Sequence, residues 1–221
     1  LRGEHLITLS ISTLCFDSFD DTGFRKTFEL APQIGYRNIE FAFFYAHTLT
    51  RRGVAEVRGR CTETELVPTS FYATKIGGGD RDELTKDLCH KMRVAEAARE
   101  LGCSLICATS APRGEYGGLD GVLTVLDSIL PFCEEMGVTF ALENHAGFNL
   151  ENIADFRSVF DRFDSPNLGL CVDIGHFHAA GVSLDEIDRE FASRIKHIHL
   201  KDNRQFGTKE FVPFGEGTAD N

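Results

Sequence analysis

The sequence predicts an α/β protein: a parallel (β/α) TIM barrel with seven of its eight strands present. Three observations carry this. Short apolar, β-branched runs alternate with longer segments of helical period. The strand ends Thr13, Phe43, Thr74, Ala108, Glu143, Asp173 and His199 follow one another at steps of 30, 31, 34, 35, 30 and 26 residues. No proline-rich or low-complexity linker interrupts the series. One βα unit per step implies a parallel sheet, and seven successive units suit a barrel of about 250 residues better than an open doubly wound sheet. No G-x-G-x-x-G follows a strand, which disfavours dinucleotide binding.

In chain order, the first three apolar runs predict strands over 7–13, 38–43 and 67–74. A helix follows over 82–101, its apolar face set by Leu84, Leu88, Met92 and Ala95, with Gly102 as its stop. The fourth strand is expected over 104–109. The next helical stretch, 119–136, contains Pro131, which predicts a kink or break there, and Gly137 ends it. The fifth strand, 138–143, precedes a helix over 155–163, where Phe156, Val159, Phe160 and Phe163 recur at three- and four-residue spacing. Strands over 168–173 and 195–200 complete the seven. An eighth is expected at least ~25 residues beyond His199, with a closing helix. The chain of 221 residues therefore reads as one domain over 1–221, truncated at its C-terminus. The first and seventh strands would be left as edges that invite pairing into a homo-oligomer.

Composition narrows the functional classes. A hydrophobic content of 42% with 26% charged residues is that of a globular protein with its own core. The net charge of −11 opposes a phosphate backbone, so nucleic acid is not an expected partner. The seven cysteines are scattered with no C-x-x-C pair, which reads as small core hydrophobes in a reducing compartment. The N-terminal segment has no long apolar leader, and no run approaches the roughly 20 apolar residues of a membrane span. No membrane partner is expected, and the expected location is cytoplasmic.

In such a barrel the loops after the strands build the active site, so polar residues at strand C-terminal ends are candidates. Three successive strands end this way, in VTFALENH, LGLCVDIGHFH and IKHIHLKD. Taken singly, an acid at a strand end is usually emerging into solvent. Two carboxylates and an imidazole on adjacent strands form instead a donor set suited to Mn²⁺, Zn²⁺, Co²⁺ or Mg²⁺.

ALENH, CVDIGHFHAAG, HIHLKD and VPFGEG, in that order, resemble the xylose isomerase-like barrel family of sugar-phosphate isomerases and epimerases. The resemblance implies one divalent metal ion (Mn, Co, Zn or Mg) held by Glu143, Asp173 and His199, with a fourth ligand, a glutamate, expected on strand eight. It makes Glu143 the catalytic base and His176 a substrate contact, and Arg204 resembles a substrate-contacting arginine. His145, two positions beyond Glu143, is a further candidate for the substrate pocket. Glu40 and His47 are candidates for the opposite wall, and Glu216 is a weaker substitute ligand. His197 reads as structural, and Lys201 with Asp202 as either signature residues or an exposed ion pair.

The implied activity is divalent-metal-dependent isomerisation or epimerisation of a keto-sugar or sugar phosphate, by proton abstraction through an enediolate. The substrate is a small-molecule sugar or cyclitol. The alternatives are a metal-dependent dehydratase of inosose or dehydroshikimate type, and a non-catalytic barrel. An endonuclease IV role is disfavoured because the third strand ends in FYATKIGGG, without a histidine.

Overall fold

The computed structural model describes residues 7–19 and 23–221. Seven parallel strands lie side by side in chain order: β1 (Ile11–Ser12), β2 (Asn38–Ala42), β3 (Val67–Ile76), β4 (Leu105–Ser110), β5 (Thr139–Glu143), β6 (Leu168–Asp173) and β7 (Ile195–His199). The sheet is strongly curled. His197 and His199 on β7 hydrogen-bond Glu40 on β2, whereas five strand spacings in a flat sheet would hold them about 24 Å apart. The predicted fold class is thus the observed one, open between β1 and β7.

Two strands differ from their apolar runs. Only Ile11–Ser12 of the first run pairs, against Ile39 and Glu40 of β2; an edge strand has one neighbour to hold it. β3 runs past Thr74 to Ile76, because the register with β4 shifts between Tyr72 and Lys75 and Thr74 takes a φ of 62°. An extra residue absorbed in a bulge re-aims the strand end without stopping the ladder.

The helices are α1 (Leu14–Asp17), α2 (Arg25–Gln33), α3 (Arg51–Thr64), α4 (Arg81–Glu100), α5 (Gly118–Met136), α6 (Ile153–Arg162), α7 (Ile174–Ala180) and α8 (Leu184–Phe191). Their starts follow local chemistry. Thr50, Asp80 and Asn152 each cap a first turn by accepting a backbone N–H. Gly102 and Gly137 stop α4 and α5 as predicted, with positive φ.

One helix expectation is corrected in part and one outright. Of the kink or break expected at Pro131 there is no break: α5 runs through it. The proline is exposed, and so is Asp127, whose carbonyl loses its intrahelical partner; water can take that carbonyl, so the helix continues. On α4, Met92 is 37% exposed while Lys91 is fully buried. The Lys91 ammonium reaches Asp87 at 2.6 Å and the Lys75 carbonyl at 2.7 Å, and that pairing lets a lysine occupy the buried face.

Strand alternation sorts the side chains. Ile39, Phe41, Phe71, Ile106, Phe140, Leu142 and Leu170 point outward into one large core beneath the helices. Phe24 and Phe28 of the α2 region close on Phe41 and Phe43, and Phe43 stacks on Phe71 with centroids 5.4 Å apart. Burying each such ring contributes roughly 1.5–3 kcal/mol. The inward set is polar or small: Glu40, Ser70, Tyr72, Cys107, Thr109, Ala141, Glu143, Cys171, Asp173, His197 and His199. The outer face of β7 is less covered, with Ile198 47% and Leu200 45% exposed.

Beyond β7 the chain makes an unpredicted antiparallel ribbon, β8 (Asp202–Asn203) with β9 (Phe211–Val212); two-residue strands leave no periodic signal. Five cysteines are buried as expected, but Cys15 and Cys89 are exposed. No helix among the described residues is long and apolar enough to cross a membrane. Residues 1–6, part of the N-terminal segment in which no leader was expected, lie outside the described residues.

Candidate metal centre

Glu143 ends β5, Asp173 ends β6 and His199 ends β7, so three neighbouring strands deliver their last inward side chains to one spot. One ligand atom from each lies within 4.8 Å of the others. Glu143 and Asp173 are 5% and 1% exposed. His199 Nδ1 sits 2.5 Å from Glu143 Oε1.

The backbone under this spot is pinned. The Asn144 side chain bridges β5 to β6, accepting the Asp173 N–H at 2.7 Å and donating to the Asp173 carbonyl at 2.9 Å. Asp173 in turn caps α7 through the His176 N–H at 2.8 Å. The glycine of D-x-G-H has a steric reason: a Cβ on Gly175 would lie 2.7 Å from Lys201 Cβ and 2.8 Å from Asn203 Oδ1.

Electrostatics follow from burial and neighbours. Burial is the largest influence on Glu143 and, with Asp173 nearby, pushes its carboxyl above the ordinary value despite His199. For Asp173 burial works the other way from the outcome, since the Lys201 ammonium 2.8 Å from Oδ2 leads the influences that bring it below normal. Burial disfavours the His199 imidazolium, yet Glu40 and Glu143 together raise it well above the ordinary value. Burial lowers His176 to about 3 and His145 to about 4, so both rings are neutral at physiological pH.

His176 and His145 lie against each other, ring centroids 3.6 Å apart, and Phe211 meets His176 edge-on at 4.9 Å. His176 Nδ1 is buried without a hydrogen-bond partner. It is a polar atom left for something else to satisfy. The Tyr72 hydroxyl, 3.1 Å from Thr109 Oγ1, stands on the neighbouring wall and is kept neutral by burial and by Glu143.

Most other candidates lie elsewhere. Arg204 is on the exposed ribbon, its Nε 2.7 Å from Glu210 Oε1. His47 is exposed and stacks on Tyr45. Glu216 is exposed on the rim and belongs to none of the candidate ligand groups found among the described residues. Glu40 lies beside the triad, its Oε2 3.1 Å from His199 Nε2, and forms a second candidate ligand group with His197 and His199. Lys201 and Asp202 do not pair as a surface couple. Lys201 holds Asp173, whereas buried Asp202 accepts the backbone N–H groups of Asn203, Gly215, Gly217 and Ala219. That cluster explains the G-E-G segment, since a Cβ on Gly217 would lie 2.1 Å from the Asn203 carbonyl oxygen.

The sequence reading did not single out Asn144, Tyr72, Thr109 or Phe211. Asn144 stands inside the quoted ALENH motif, and strand alternation places Tyr72 and Thr109 on the inward face. Phe211 carries no local signal.

Two carboxylates and an imidazole within one coordination sphere suit a divalent ion of the Mn, Co or Zn kind. The Lys201 ammonium and the His199 imidazole, set against Asp173 and Glu143, are the cationic groups that this concentration of carboxylates now draws in. The residues fit a metal.

Similar proteins share parts of this plan. An inosose dehydratase of Bacillus cereus (strain AH820) is 33% identical over 72 residues, 33% of this chain and 24% of that protein. The matched segment spans about a quarter of that relative's length. A D-tagatose 3-epimerase-like protein has the same fold, with a TM-score of 0.82 at 19% identity over 97% of this chain and 83% of its own. So does the IolI protein solved with a bound zinc atom, at 0.78 and 19% over 97% and 81%. The sequence profile of the xylose isomerase-like TIM barrel family matches residues 28–221, and the chain belongs to that family.

Proposed function

We propose that this chain is a divalent-metal-dependent isomerase or epimerase of a keto-sugar, sugar phosphate or cyclitol, acting by proton abstraction next to a carbonyl. The observation that carries the reading is the convergence of Glu143, Asp173 and His199 beside a buried, unpartnered His176 nitrogen. A divalent ion held by the three ligands would supply Lewis-acid polarisation of a carbonyl and its neighbouring hydroxyl.

The remaining work falls to the chain. Glu143, its carboxyl raised by burial, takes the proton from the carbon next to the carbonyl, and returning it to the neighbouring carbon on the same face gives the isomer; inversion at the first carbon takes its proton instead from a second acid on the opposite face, the role the expected eighth-strand glutamate would fill. Neutral His176 hydrogen-bonds a substrate oxygen through Nδ1, and His145 backs it. Tyr72 offers a neutral hydroxyl from the neighbouring wall, and Lys201 holds Asp173 in place. Phe211 and His145 cover the His176 ring and exclude water from it. Arg204 could reach a substrate only by leaving Glu210.

A second reading, dehydration, draws on the inosose dehydratase similarity. It shares the first proton abstraction and then expels a β-hydroxyl. Incubating the Mn²⁺-loaded protein with a panel of ketoses and inososes in D₂O separates the two. Solvent deuterium in a recovered isomer supports isomerisation, and a new enone absorbance supports dehydration. Glu143→Gln should lower either rate by roughly 10²–10⁴-fold, the usual worth of a general base; an unchanged rate would remove Glu143 from the chemistry.

A further inference from the structure

Glu40 takes no part in the chemistry above, yet it is 3% exposed and sits in the middle of β2, facing the barrel axis. A carboxylate buried there needs donors, and it has several. Its Oε2 is 2.8 Å from Ser70 Oγ, 3.0 Å from His197 Nε2 and 3.1 Å from His199 Nε2. Cys107 Sγ stands farther off, at 3.6 Å.

The contact with His199 bears on the metal centre. His199 spans two carboxylates: Nε2 faces Glu40, and Nδ1 faces Glu143 at the triad. When a carboxylate holds the Nε2–H of an imidazole, the tautomer is fixed and the lone pair is left on Nδ1. The ring is also clamped in plane and made a better donor. His197 reaches the same oxygen, so both histidines of H-x-H serve one carboxylate.

We propose that Glu40 is a positioning residue for the metal centre: it holds the Nε2–H of His199 so that Nδ1 is the ligand atom. This rests on the metal reading given above. Ser70 and His197 steady Glu40 itself, which ties β2, β3 and β7 to one ligand.

Titration calorimetry of metal-freed protein with Mn²⁺ tests this, using wild type, Glu40→Gln, Asp173→Asn and, as a control, Thr69→Ala, whose hydroxyl bonds the Ile39 carbonyl on the same pair of strands. Wild type should bind one equivalent and Asp173→Asn should lose it. Glu40→Gln should bind about 10–100-fold more weakly, the usual effect of removing such a partner, while Thr69→Ala stays close to wild type. Co²⁺ loading adds a readout that a merely structural role would not move: the visible absorption bands should shift in Glu40→Gln and not in Thr69→Ala.

Wild type that binds no metal overturns the metal reading and this inference with it. Wild type that binds beside a folded Glu40→Gln of equal affinity and unchanged Co²⁺ spectrum overturns this inference alone. So does a second wild-type equivalent lost on Glu40→Gln, which would make Glu40 a ligand of another ion. Should Glu40→Gln not fold, two-bond proton–nitrogen spectra of Zn²⁺-loaded wild type decide. A protonated His199 Nε2 with a metal-shifted Nδ1 supports the assignment, and the reverse refutes it.

Discussion

Lys91 is the residue whose environment departs furthest from its type. Its ammonium is almost wholly buried against Asp87, Thr74 and the Lys75 carbonyl, and Thr74 is the positive-φ residue of the β3 bulge. The lysine thus anchors the strained end of a strand. Lys91→Met would leave the partly buried Asp87 carboxylate without its ion-pair partner, a kind of change that costs up to about 3–5 kcal/mol, and urea denaturation should register a loss of stability. The helical period of 82–101 offered Met92 for this face, because pattern reading ranks lysine as solvent-exposed. A partner supplied by the i−4 position and by a strand end some sixteen residues earlier in the chain reverses that ranking. The sequence named the Glu143, Asp173 and His199 positions by their place after apolar runs. It left Glu40 undecided, since a mid-strand acid has no such marker.

At the scale of elements, the stops of α4 and α5 at Gly102 and Gly137 were readable because they are local; the caps Thr50, Asp80 and Asn152 are as local but were not singled out. α5 shows where a local rule yields. Pro131 removes an N–H and crowds the preceding turn, but it lies on the solvent side while Val125, Leu126, Ile129, Leu130 and Cys133 hold the helix to the sheet. Pro131→Ala should restore the bond to the Asp127 carbonyl and raise stability by up to about 3 kcal/mol. An unchanged or lower denaturation midpoint would mean that the proline is matched to its turn. The strand ends were legible to within one or two residues wherever a strand is paired on both sides. β1, held on one side, is much shorter than its apolar run.

At the scale of the whole molecule, the curl of the sheet and the C-terminal ribbon depend on contacts far apart in sequence. Asp202 binds four backbone N–H groups, three of them from residues 215–219, and so ties the last segment of the chain to the end of β7. Burial opposes its ionisation, but those N–H groups bring its carboxyl below the ordinary value. A carboxyl lowered by folding stabilises above its unfolded pKa, about 4, and loses that contribution as pH falls through the lower folded value. The tie should therefore hold at neutral pH and release on acidification. Asp202→Asn at neutral pH should speed amide exchange at Gly215, Gly217 and Ala219 while leaving the β2–β6 amides protected. Equal protection in both proteins would show that the ribbon is held by other contacts.

The sequence by itself determined the parallel α/β barrel, because strand and helix periodicities and βα spacing are local and repeat seven times. It also placed an acid, an acid and a histidine at three successive strand ends. Only the tertiary structure decided how those ends meet. It joined His199 to Glu40 across the sheet and buried Lys91 beneath a strained strand end. It turned Asp202 toward the backbone of residues 215–219 and set Arg204 against Glu210. Each of these depends on a partner brought close by the curl of the sheet or the return of a loop, and the energy of a buried charge is fixed by such partners rather than by its neighbours in the chain.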